Sequence, residues 1–381
     1  MDKVTLIATA AFGLEAVVAR EIRALGYTDL AIENGRVTFQ GDMQAICRAN
    51  LWLRSADRVL VKVGDFTATS FEELFENTKA LPWAEWLPKD AVFPVQGKSV
   101  RSGLHSVPDC QAIVKKAIVE KMKQRYREQW FPETGARYAV EVALLKDTAT
   151  LTIDTSGAGL HKRGYRSLTG AAPIKETLAA AMVSLSRWRP EQSLIDPMCG
   201  TGTILIEAAL MALNQAPGLN RSFDGESWPN IPARLWREAR QEAKDLIRQD
   251  LTLAIRGGDI DRRALAMARK HAVQAGVDQL IHWQESPLAE LKTRQKYGCL
   301  ISNPPYGQRL EELPAVQQLY RELGQIYKTL ETWSCYILTS HKDLEKLMGR
   351  KADKKRKLYN GRIQCDYYQF FGSRPRLRSD K

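Results

Sequence analysis

The stretch that decides the fold is Ser193–Leu210, which reads SLIDPMCGTGTILIEAAL. A short apolar run leads into Asp196, then into a turn with Gly200 and Gly202, and finally into an apolar segment with helical spacing. Glycines at such a corner let the backbone turn sharply and approach a ligand closely. The pattern therefore predicts a strand, a turn and a helix of an open α/β sheet. A purely structural turn is the alternative, because many α/β folds use glycine there.

The residues around the glycine turn restrict the class of ligand. No Gly-Lys-Ser/Thr sequence follows, so the turn is not a Walker phosphate loop. Leu205 stands where a dinucleotide fingerprint would place its third glycine, which weakens dinucleotide binding. The remaining ligand class for this kind of sheet is an adenosyl cofactor without pyrophosphate. Asp196, before the glycines, can hold a cationic or hydroxylated group of that ligand.

A second acidic turn, Gly257-Gly258-Asp259-Ile260-Asp261, follows the predicted strand Thr252–Arg256. An acid at the end of that strand can accept hydrogen bonds from ribose hydroxyls. Asp259 is the first candidate and Asp261 the second. Either could instead cap the helix that starts near Arg262, because aspartate is a favoured N-cap residue.

A third turn, Asn303-Pro304-Pro305-Tyr306, follows the predicted strand Gly298–Ser302. Two adjacent prolines remove two backbone donors, so this segment is a rigid, irregular turn. In isolation it would be read as a surface turn, since turns favour these residues. However, all three turns fall at the carboxyl edge of one sheet, where open α/β proteins bind ligands. That conjunction favours a functional site.

The rest of the chain predicts two halves of different character. In the C-terminal half, strands separated by helical patterns are typical of βαβ units, and Asn360-Gly361 between two β-favouring runs predicts a closing hairpin. In the N-terminal half, short strands alternate with helices, which favours small α+β units. The other predicted strands are Val4–Thr9, Arg36–Phe39, Arg58–Val63, Ala91–Val95, Tyr138–Leu144, Thr148–Asp154, Ser193–Ile195, Leu280–Trp283 and Ser334–Thr339, and Cys110–Trp130 is a predicted helix.

Composition indicates a polyanionic partner and argues against several other classes. The chain has 56 Lys and Arg against 44 Asp and Glu, a formal net charge of +12. Its six cysteines form no C-x-x-C pair and its five histidines have no metal-ligand spacing, so neither disulfides nor a metal site are expected. No apolar run approaches the ~20 residues that span a bilayer, and the short apolar N-terminus lacks the flanks of a signal peptide. We expect a cytoplasmic protein without a membrane partner; nothing in the sequence indicates an oligomeric state.

The three turns resemble those of class I S-adenosylmethionine-dependent methyltransferases that act on exocyclic amino groups. The signature of those enzymes, [DNS]-PP-[YFW], is matched by Asn303–Tyr306. The N-terminal half resembles a ferredoxin-like segment followed by a THUMP domain, an RNA-binding module. The stretches 159–166 (GLHKRGYR) and 171–183 (AAPIKETLAAAMV) closely resemble the junction in THUMP-containing guanine-N2 methyltransferases of the RlmL type, which modify 23S ribosomal RNA. The likeness covers essentially the whole chain.

The resemblance implies an α/β architecture with an N-terminal α+β region and a doubly wound, Rossmann-like methyltransferase domain that ends in an antiparallel hairpin. The implied domains are a ferredoxin-like segment (1–57), a THUMP-like domain (58–156), a linker (157–173) and a methyltransferase domain (174–381). The implied cofactor is S-adenosylmethionine. Its predicted binding residues are Asp196, Pro197, Cys199, Gly200, Thr201, Gly202, Asp259, Asp261, Ser286, Lys175 and Thr177, with Glu285 open as an alternative to Ser286 near the adenine.

The same resemblance implies roles at the Asn-Pro-Pro-Tyr turn. The Asn303 side-chain oxygen and the Pro304 carbonyl would accept the hydrogens of the target amine, while Pro305 keeps the turn rigid. Tyr306 would stack on a base taken out of its helix. The residues predicted to bind RNA are Lys115, Lys116, Lys123, Arg163 and Arg166. For the three lysines, which lie in a basic helical stretch, a merely solvated helix face is the alternative.

These expectations predict methylation of the N2 amino group of a guanosine in 23S ribosomal RNA or in a large-subunit assembly intermediate. Transfer RNA is an alternative substrate, because THUMP domains also occur in enzymes that modify it. Two further alternatives are adenine-N6 methylation of DNA and a non-catalytic RNA-binding assembly factor.

Overall fold

A computed structural model describes residues 3–166, 174–307 and 310–373. The chain forms two compact units. The first comprises Met1–Ala10, Val18–Leu160 and Arg221–Glu242, and the second comprises Ala11–Val17, His161–Asn220 and Ala243–Lys381. Residues 167–173 of the predicted linker and 374–381 of the predicted methyltransferase domain lie outside the described residues.

The first unit contains a mixed sheet with strand order β2-β3-β1-β4-β7-β6-β5. Its neighbouring strands are antiparallel except β5 and β6, which are parallel. The strands are β1 (Val4–Ala10), β2 (Leu30–Glu33), β3 (Arg36–Gly41), β4 (Ala56–Thr67), β5 (Val95–Val100), β6 (Ala139–Leu145) and β7 (Thr148–Asp154). The helices before residue 130 are α1 (Glu15–Ala24), α2 (Met43–Trp52), α3 (Phe71–Ala80), α4 (Trp83–Trp86) and α5 (Val107–Tyr126).

The second unit contains a sheet with strand order β10-β9-β8-β11-β12-β14-β13. Strands β8 to β12 pair in parallel, and the final hairpin adds two antiparallel strands beside β12. The strands are β8 (Leu194–Asp196), β9 (Ile255–Asp259), β10 (Ile281–Glu285), β11 (Cys299–Ser302), β12 (Ser334–Thr339), β13 (Lys354–Asn360) and β14 (Ile363–Phe370). The later helices are α6 (Glu176–Leu185), α7 (Thr203–Ala212), α8 (Ala233–Asp245), α9 (Arg262–Ala275), α10 (Leu313–Thr329) and α11 (Leu344–Met348).

Helices cover both faces of this second sheet, as expected for a doubly wound fold. Consecutive strand residues belong to different apolar clusters: Leu194 packs with residues of α6, α7 and α9, while Ile195 packs with residues of α10 and α11. Side chains alternate between the faces of a sheet, so both faces are buried. The predicted doubly wound sheet and closing hairpin are confirmed.

Several predicted elements differ from the structure for identifiable reasons. Ala91–Val95 is not a strand; β5 begins at Val95, directly after Pro94, which has no backbone donor for a ladder. The predicted helix up to Trp130 ends at Tyr126, because Arg127 adopts a left-handed conformation. The predicted strand Thr252–Arg256 is shifted to Ile255–Asp259.

The segment 221–242 also departs from the predicted arrangement. It packs with the first unit, although the prediction places it inside a continuous methyltransferase domain. Its aromatic residues explain the difference, because Trp228 stacks on Tyr138 with 4.4 Å between ring centroids, and Trp236 stacks on Phe223. All four belong to the core of the first unit. The predicted boundaries at 57, 156 and 173 stay predictions.

Candidate active site

The carboxyl ends of four parallel strands meet at one edge of the second sheet. Strand β8 pairs with β9 on one side and β11 on the other, and β10 lies beyond β9. The last residues of these strands are Asp196, Asp259, Glu285 and Ser302. The three turns singled out in the sequence therefore lie along the same edge.

The glycine turn after β8 is tied to the end of β9. The backbone N–H of Gly200 donates to Oδ2 of Asp259 at 2.7 Å, and the N–H of Cys199 donates to the carbonyl of Gly258 at 2.9 Å. Gly200 has φ +53° and Gly202 has φ +78°, a region that side chains rarely adopt. A Cβ on Gly200 would meet nothing within 4 Å, whereas one on Gly202 would lie 2.4 Å from the Trp283 ring. Of these two glycines, Gly200 is the one that leaves open space for a ligand.

The two acids after β9 have different roles in the fold. Oδ1 of Asp261 accepts hydrogen bonds from the N–H groups of Arg263 and Ala264 at 2.8 and 3.2 Å, so Asp261 caps α9. Asp259 braces the glycine turn through one oxygen and accepts from the N–H of Asp261 through the other, at 2.9 Å. The helix-cap interpretation thus fits Asp261, and Asp259 remains the stronger candidate for ribose contact.

Asp196 joins the glycine turn to the Asn-Pro-Pro-Tyr turn. Its Oδ1 accepts a hydrogen bond from the Ser302 hydroxyl at 2.6 Å and another from the N–H of Met198 at 3.1 Å. The carboxyl group is buried, and this burial raises its pKa to about 7, with the nearby Asp259 acting in the same direction. Near neutral pH the group can therefore be protonated or charged. Sequence reasoning did not assign a role to Ser302.

The Asn-Pro-Pro-Tyr turn is held by hydroxyl groups from outside it and within it. The Tyr320 hydroxyl donates to the carbonyl of Pro305 at 2.8 Å. The Tyr306 hydroxyl donates to Oδ1 of Asn303 and accepts from Nδ2 of Asn360 at 3.2 Å. Pro304 is buried, and the Tyr306 ring is half-buried against the core of the second unit. Asn360 was predicted only as a hairpin residue.

The other predicted cofactor residues lie around the same edge or at the start of α6. Pro197 and Ser286 line a cavity together with Gly258 and Pro287. The N–H of Ser286 donates to the carbonyl of Asp259 at 3.1 Å, which joins β10 to β9. Lys175 is the exposed N-cap residue of α6, Thr177 and Cys199 are buried, and Thr201 is half-buried. Ile260, which the sequence reasoning passed over, is 74% exposed beside Asp259.

Arg163 and Arg166 do not form an RNA-binding surface, contrary to the prediction. Arg163 is buried, with Nε 3.5 Å from Oε1 of Glu207. Arg166 is largely buried, with Nη1 3.2 Å from Oε1 of Glu176, and its Nη2 donates to Oγ1 of Thr203 at 2.6 Å. Buried charges require such partners, so both guanidinium groups serve the packing of α6 and α7. Burial also raises the pKa of Glu176.

The three predicted RNA-binding lysines lie on α5 in the first unit. Lys115 forms an ion pair with Glu133 at 2.6 Å, and Lys123 forms one with Glu120 at 2.9 Å. Nζ of Lys116 lies 5.8 Å from the centroid of the Phe75 ring. The side chains of Lys115 and Lys123 stay partly exposed, although Nζ of Lys115 also donates to the carbonyl of Phe93 at 3.0 Å.

The described residues offer neither a metal-binding cluster nor a membrane-spanning helix. Residues 3–166, 174–307 and 310–373 contain no group of three or more His, Cys, Asp or Glu that could hold a metal ion. Within that same part of the chain, no helix is both long enough and apolar enough to cross a bilayer. The cytoplasmic location stays a prediction.

The parallel sheet with its reversed C-terminal hairpin, the glycine turn after β8 and the acid after β9 are features that this chain shares with class I S-adenosylmethionine-dependent methyltransferases. Within that class, the chain belongs to the RMKL-like methyltransferase family, whose methyltransferase-domain model matches residues 163–369. Two more domain models match before it, the RlmL ferredoxin-like domain at residues 5–60 and the THUMP domain at residues 68–154.

Full-length relatives agree with this assignment. The chain is 53% identical over 373 residues to the Bacillus subtilis protein named "Putative RNA methyltransferase YpsC", covering 97% of each chain. It is 56% identical, with TM-score 0.94 and 98% and 97% coverage, to a Listeria monocytogenes structure called "a predicted N6-adenine-specific DNA methylase". It is 47% identical, with TM-score 0.94 and 99% and 100% coverage, to "SMU.472, a putative methyltransferase complexed with SAH".

Proposed function

We propose that the protein transfers the methyl group of S-adenosylmethionine to the exocyclic N2 amino group of a guanosine in 23S ribosomal RNA, free or within a large-subunit assembly intermediate. The observation that carries the proposal is the Asn303–Tyr306 turn, which lies at the sheet edge beside the glycine turn of β8. In addition, the chain matches RlmL ferredoxin-like and THUMP domain models, and a close relative is named an RNA methyltransferase.

The residues at the sheet edge fit an adenosyl cofactor. The open space at Gly200 and its left-handed backbone suit close approach of a ligand to the main chain. Asp259 would accept hydrogen bonds from ribose hydroxyls, and the exposed side chain of Ile260 offers apolar surface to the adenine, near Ser286 or Glu285. The rest of the proposed cofactor site would be lined by Pro197, Thr201, Lys175 and Thr177. The cofactor supplies a methyl group on a sulfonium ion, which is electrophilic.

The turn after β11 fits an amine that is a weak nucleophile. The lone pair of an exocyclic amino group of guanine is delocalised into its ring. Oδ1 of Asn303 and the carbonyl of Pro304 would accept its two hydrogens and leave the nitrogen lone pair facing the methyl group. Oδ1 has two acceptor sites, and the Tyr306 hydroxyl uses only one of them. Catalysis would then rest on positioning and on stabilising the positive charge that develops on nitrogen.

The same four residues also suit adenine-N6 methylation of DNA, and one close structure carries that description in its name. The THUMP match favours RNA over DNA, because the resemblance implies RNA binding by that module. Transfer RNA is the alternative within RNA. A substrate comparison must therefore cover all three nucleic acids.

Nucleoside mass spectrometry tests the proposal directly. The modified nucleosides are compared in four samples, namely 23S RNA, 16S RNA, transfer RNA and DNA. The samples come from cells with the gene, cells without it, and cells complemented with wild type or Asn303→Ala. The expected result is loss of N2-methylguanosine from 23S RNA, restored only by wild type. Loss confined to transfer RNA would change the substrate, and loss of N6-methyladenine from DNA would refute the proposal.

A further inference from the structure

The hairpin turn does not need an asparagine at position 360. An Asn-Gly turn of type I′ places both residues at its centre with positive φ. Here Asn360 pairs with Ile363, so Gly361 and Arg362 form the two-residue loop. Gly361 has φ +62°, whereas Asn360 is the last residue of β13. The turn therefore uses the glycine and leaves the asparagine side chain for another purpose.

That side chain begins a directed chain of hydrogen bonds. Nδ2 of Asn360 donates to the Tyr306 hydroxyl at 3.2 Å, and this hydroxyl donates to Oδ1 of Asn303. Asn360 faces the Tyr306 hydroxyl with its nitrogen, which donates, and Asn303 faces it with its oxygen, which accepts, so the hydrogen bonds run from Asn360 to Asn303. The Cys365 thiol of β14 also faces the hydroxyl, and burial raises the pKa of both Tyr306 and Cys365. Both groups therefore stay protonated at neutral pH.

The direction of this chain matters because an asparagine side chain can present either its oxygen or its nitrogen. Only the oxygen can accept a hydrogen from an amine. The N–H of Asn360 donates to the Tyr306 oxygen, which leaves the hydroxyl hydrogen for the oxygen of Asn303, and an amide turned to present its nitrogen could not accept that hydrogen. The second lone pair of that Asn303 oxygen is then available to the target amine.

We propose that Asn360 is a positioning residue for methyl transfer, which acts through Tyr306 to fix the amide of Asn303. The inference rests on the proposed role of Asn303. It assigns the C-terminal hairpin a part in the active site, and it gives Tyr306 an orienting function through its hydroxyl group besides any contact of its ring.

The test compares Asn360→Asp, Asn360→Ala, Tyr306→Phe and the double variant Asn360→Ala/Tyr306→Phe, with Arg362→Ala in the exposed turn as the control. Asn360→Asp keeps the size of the side chain but has no donor. RNA and DNA from cells lacking the gene serve as substrates. We expect each single substitution at Asn360 or Tyr306 to lower kcat by about tenfold, the value of one hydrogen bond, with an unchanged KM for S-adenosylmethionine.

The coupling between the two positions is the decisive kinetic result. Because both changes break one chain, the double variant should be no slower than Tyr306→Phe alone. Arg362→Ala should behave as wild type. Wild-type kcat in both Asn360 variants, or additive losses in the double variant, would overturn the inference.

A readout without turnover separates this inference from the proposed function. In protein labelled with 15N-asparagine, the side-chain amide signals of Asn303 are identified by their loss in Asn303→Ala. They should shift in Asn360→Asp and stay in place in Arg362→Ala. If they shift as expected while wild type methylates no guanine, the proposed function fails and the linkage stands. If they do not shift, the linkage fails whatever the substrate.

Discussion

At the scale of single residues, methyl transfer should depend most on Asn303. Asn303→Ala removes the acceptor that would hold the target amine, so we expect kcat to fall by about 100-fold or more. Cofactor affinity should stay within about twofold, because the glycine turn and Asp259 are unchanged. Single-turnover kinetics with hypomethylated RNA, together with calorimetric titration of S-adenosylhomocysteine, measure the two effects separately.

Asn303→Asp is the matched control for this prediction, because a carboxylate keeps the acceptor and the family signature allows aspartate there. It should retain more activity than Asn303→Ala. If the alanine variant weakens cofactor binding as much as turnover, Asn303 supports the cofactor site and not the amine.

Asp196 makes the stability of the cofactor-free protein depend on pH. Its pKa is about 7 in the folded protein, against about 3.9 in an unfolded chain. The stabilising contribution of its protonated form is complete below the unfolded pKa and is lost as pH rises through about 7. Asp196→Asn stays neutral and keeps an acceptor for Ser302. Its stability relative to wild type should therefore grow between roughly pH 5 and 7, by at most about 1.4 kcal/mol per pH unit.

Urea denaturation of both proteins at a series of pH values measures this difference. The difference between the two proteins in free energy of unfolding is taken at each pH. This difference cancels the contributions of the other buried acids, including Glu21 and Glu176, whose pKa values burial also raises. A difference that does not change with pH would mean that Asp196 is already ionised in the folded protein.

At the scale of secondary-structure elements, the glycine turn was predictable because its pattern is local. Strand, glycines and helix follow one another within Ser193–Leu210, and no other part of the chain is needed to recognise them. The requirement for glycine at position 202 has two causes, and only one of them was predictable from the sequence. Its backbone conformation follows from the turn, but its contact with Trp283 joins α7 to β10, about 80 residues away.

Gly202→Ala should therefore destabilise the fold more than Gly200→Ala. Both substitutions place a side chain at positive φ, but only the first also meets the Trp283 ring, at 2.4 Å. We expect an additional cost of about 1–3 kcal/mol from overpacking. Urea denaturation measures both variants. Adding Trp283→Leu should recover part of the loss in Gly202→Ala and none in Gly200→Ala.

Equal destabilisation by the two glycine variants would contradict this account. It would show that backbone strain alone explains the requirement for glycine. Cofactor titration completes the comparison, because Gly200→Ala fills the space proposed for the ligand and should lose affinity while it loses less stability than Gly202→Ala.

The arginine assignments failed for a reason at this same scale. Arg163 and Arg166 stand in a stretch rich in Gly, Ser and basic residues, which locally indicates an exposed linker. Their partners Glu207 and Glu176 become neighbours only when α6 and α7 pack together. In the same way, nothing in the sequence around Trp228 indicates that it stacks on Tyr138. The packing of residues 221–242 with the first unit could therefore not be predicted from the sequence.

At the scale of the whole molecule, the net charge of +12 favours a nucleic-acid partner, but it does not say which lysines matter. On α5, Lys115 and Lys123 each form an ion pair with a partly exposed glutamate. Such pairs contribute only about 0–1 kcal/mol, so a phosphate can replace the glutamate at little cost. The ion pairs therefore do not argue against RNA binding by this helix.

Replacing Lys115, Lys116 and Lys123 together by glutamine should weaken RNA binding and reduce its dependence on salt. Each phosphate contact contributes about 0.7–0.9 to the slope of log K against log salt concentration, so loss of two or three contacts lowers the slope by about two. Fluorescence anisotropy over a salt series measures the slope. The matched control replaces Lys62, Lys89 and Lys98, which are also ion-paired lysines of the first unit, and changes net charge equally. Equal slopes in the two triple variants would mean that net charge, and not α5, determines RNA affinity.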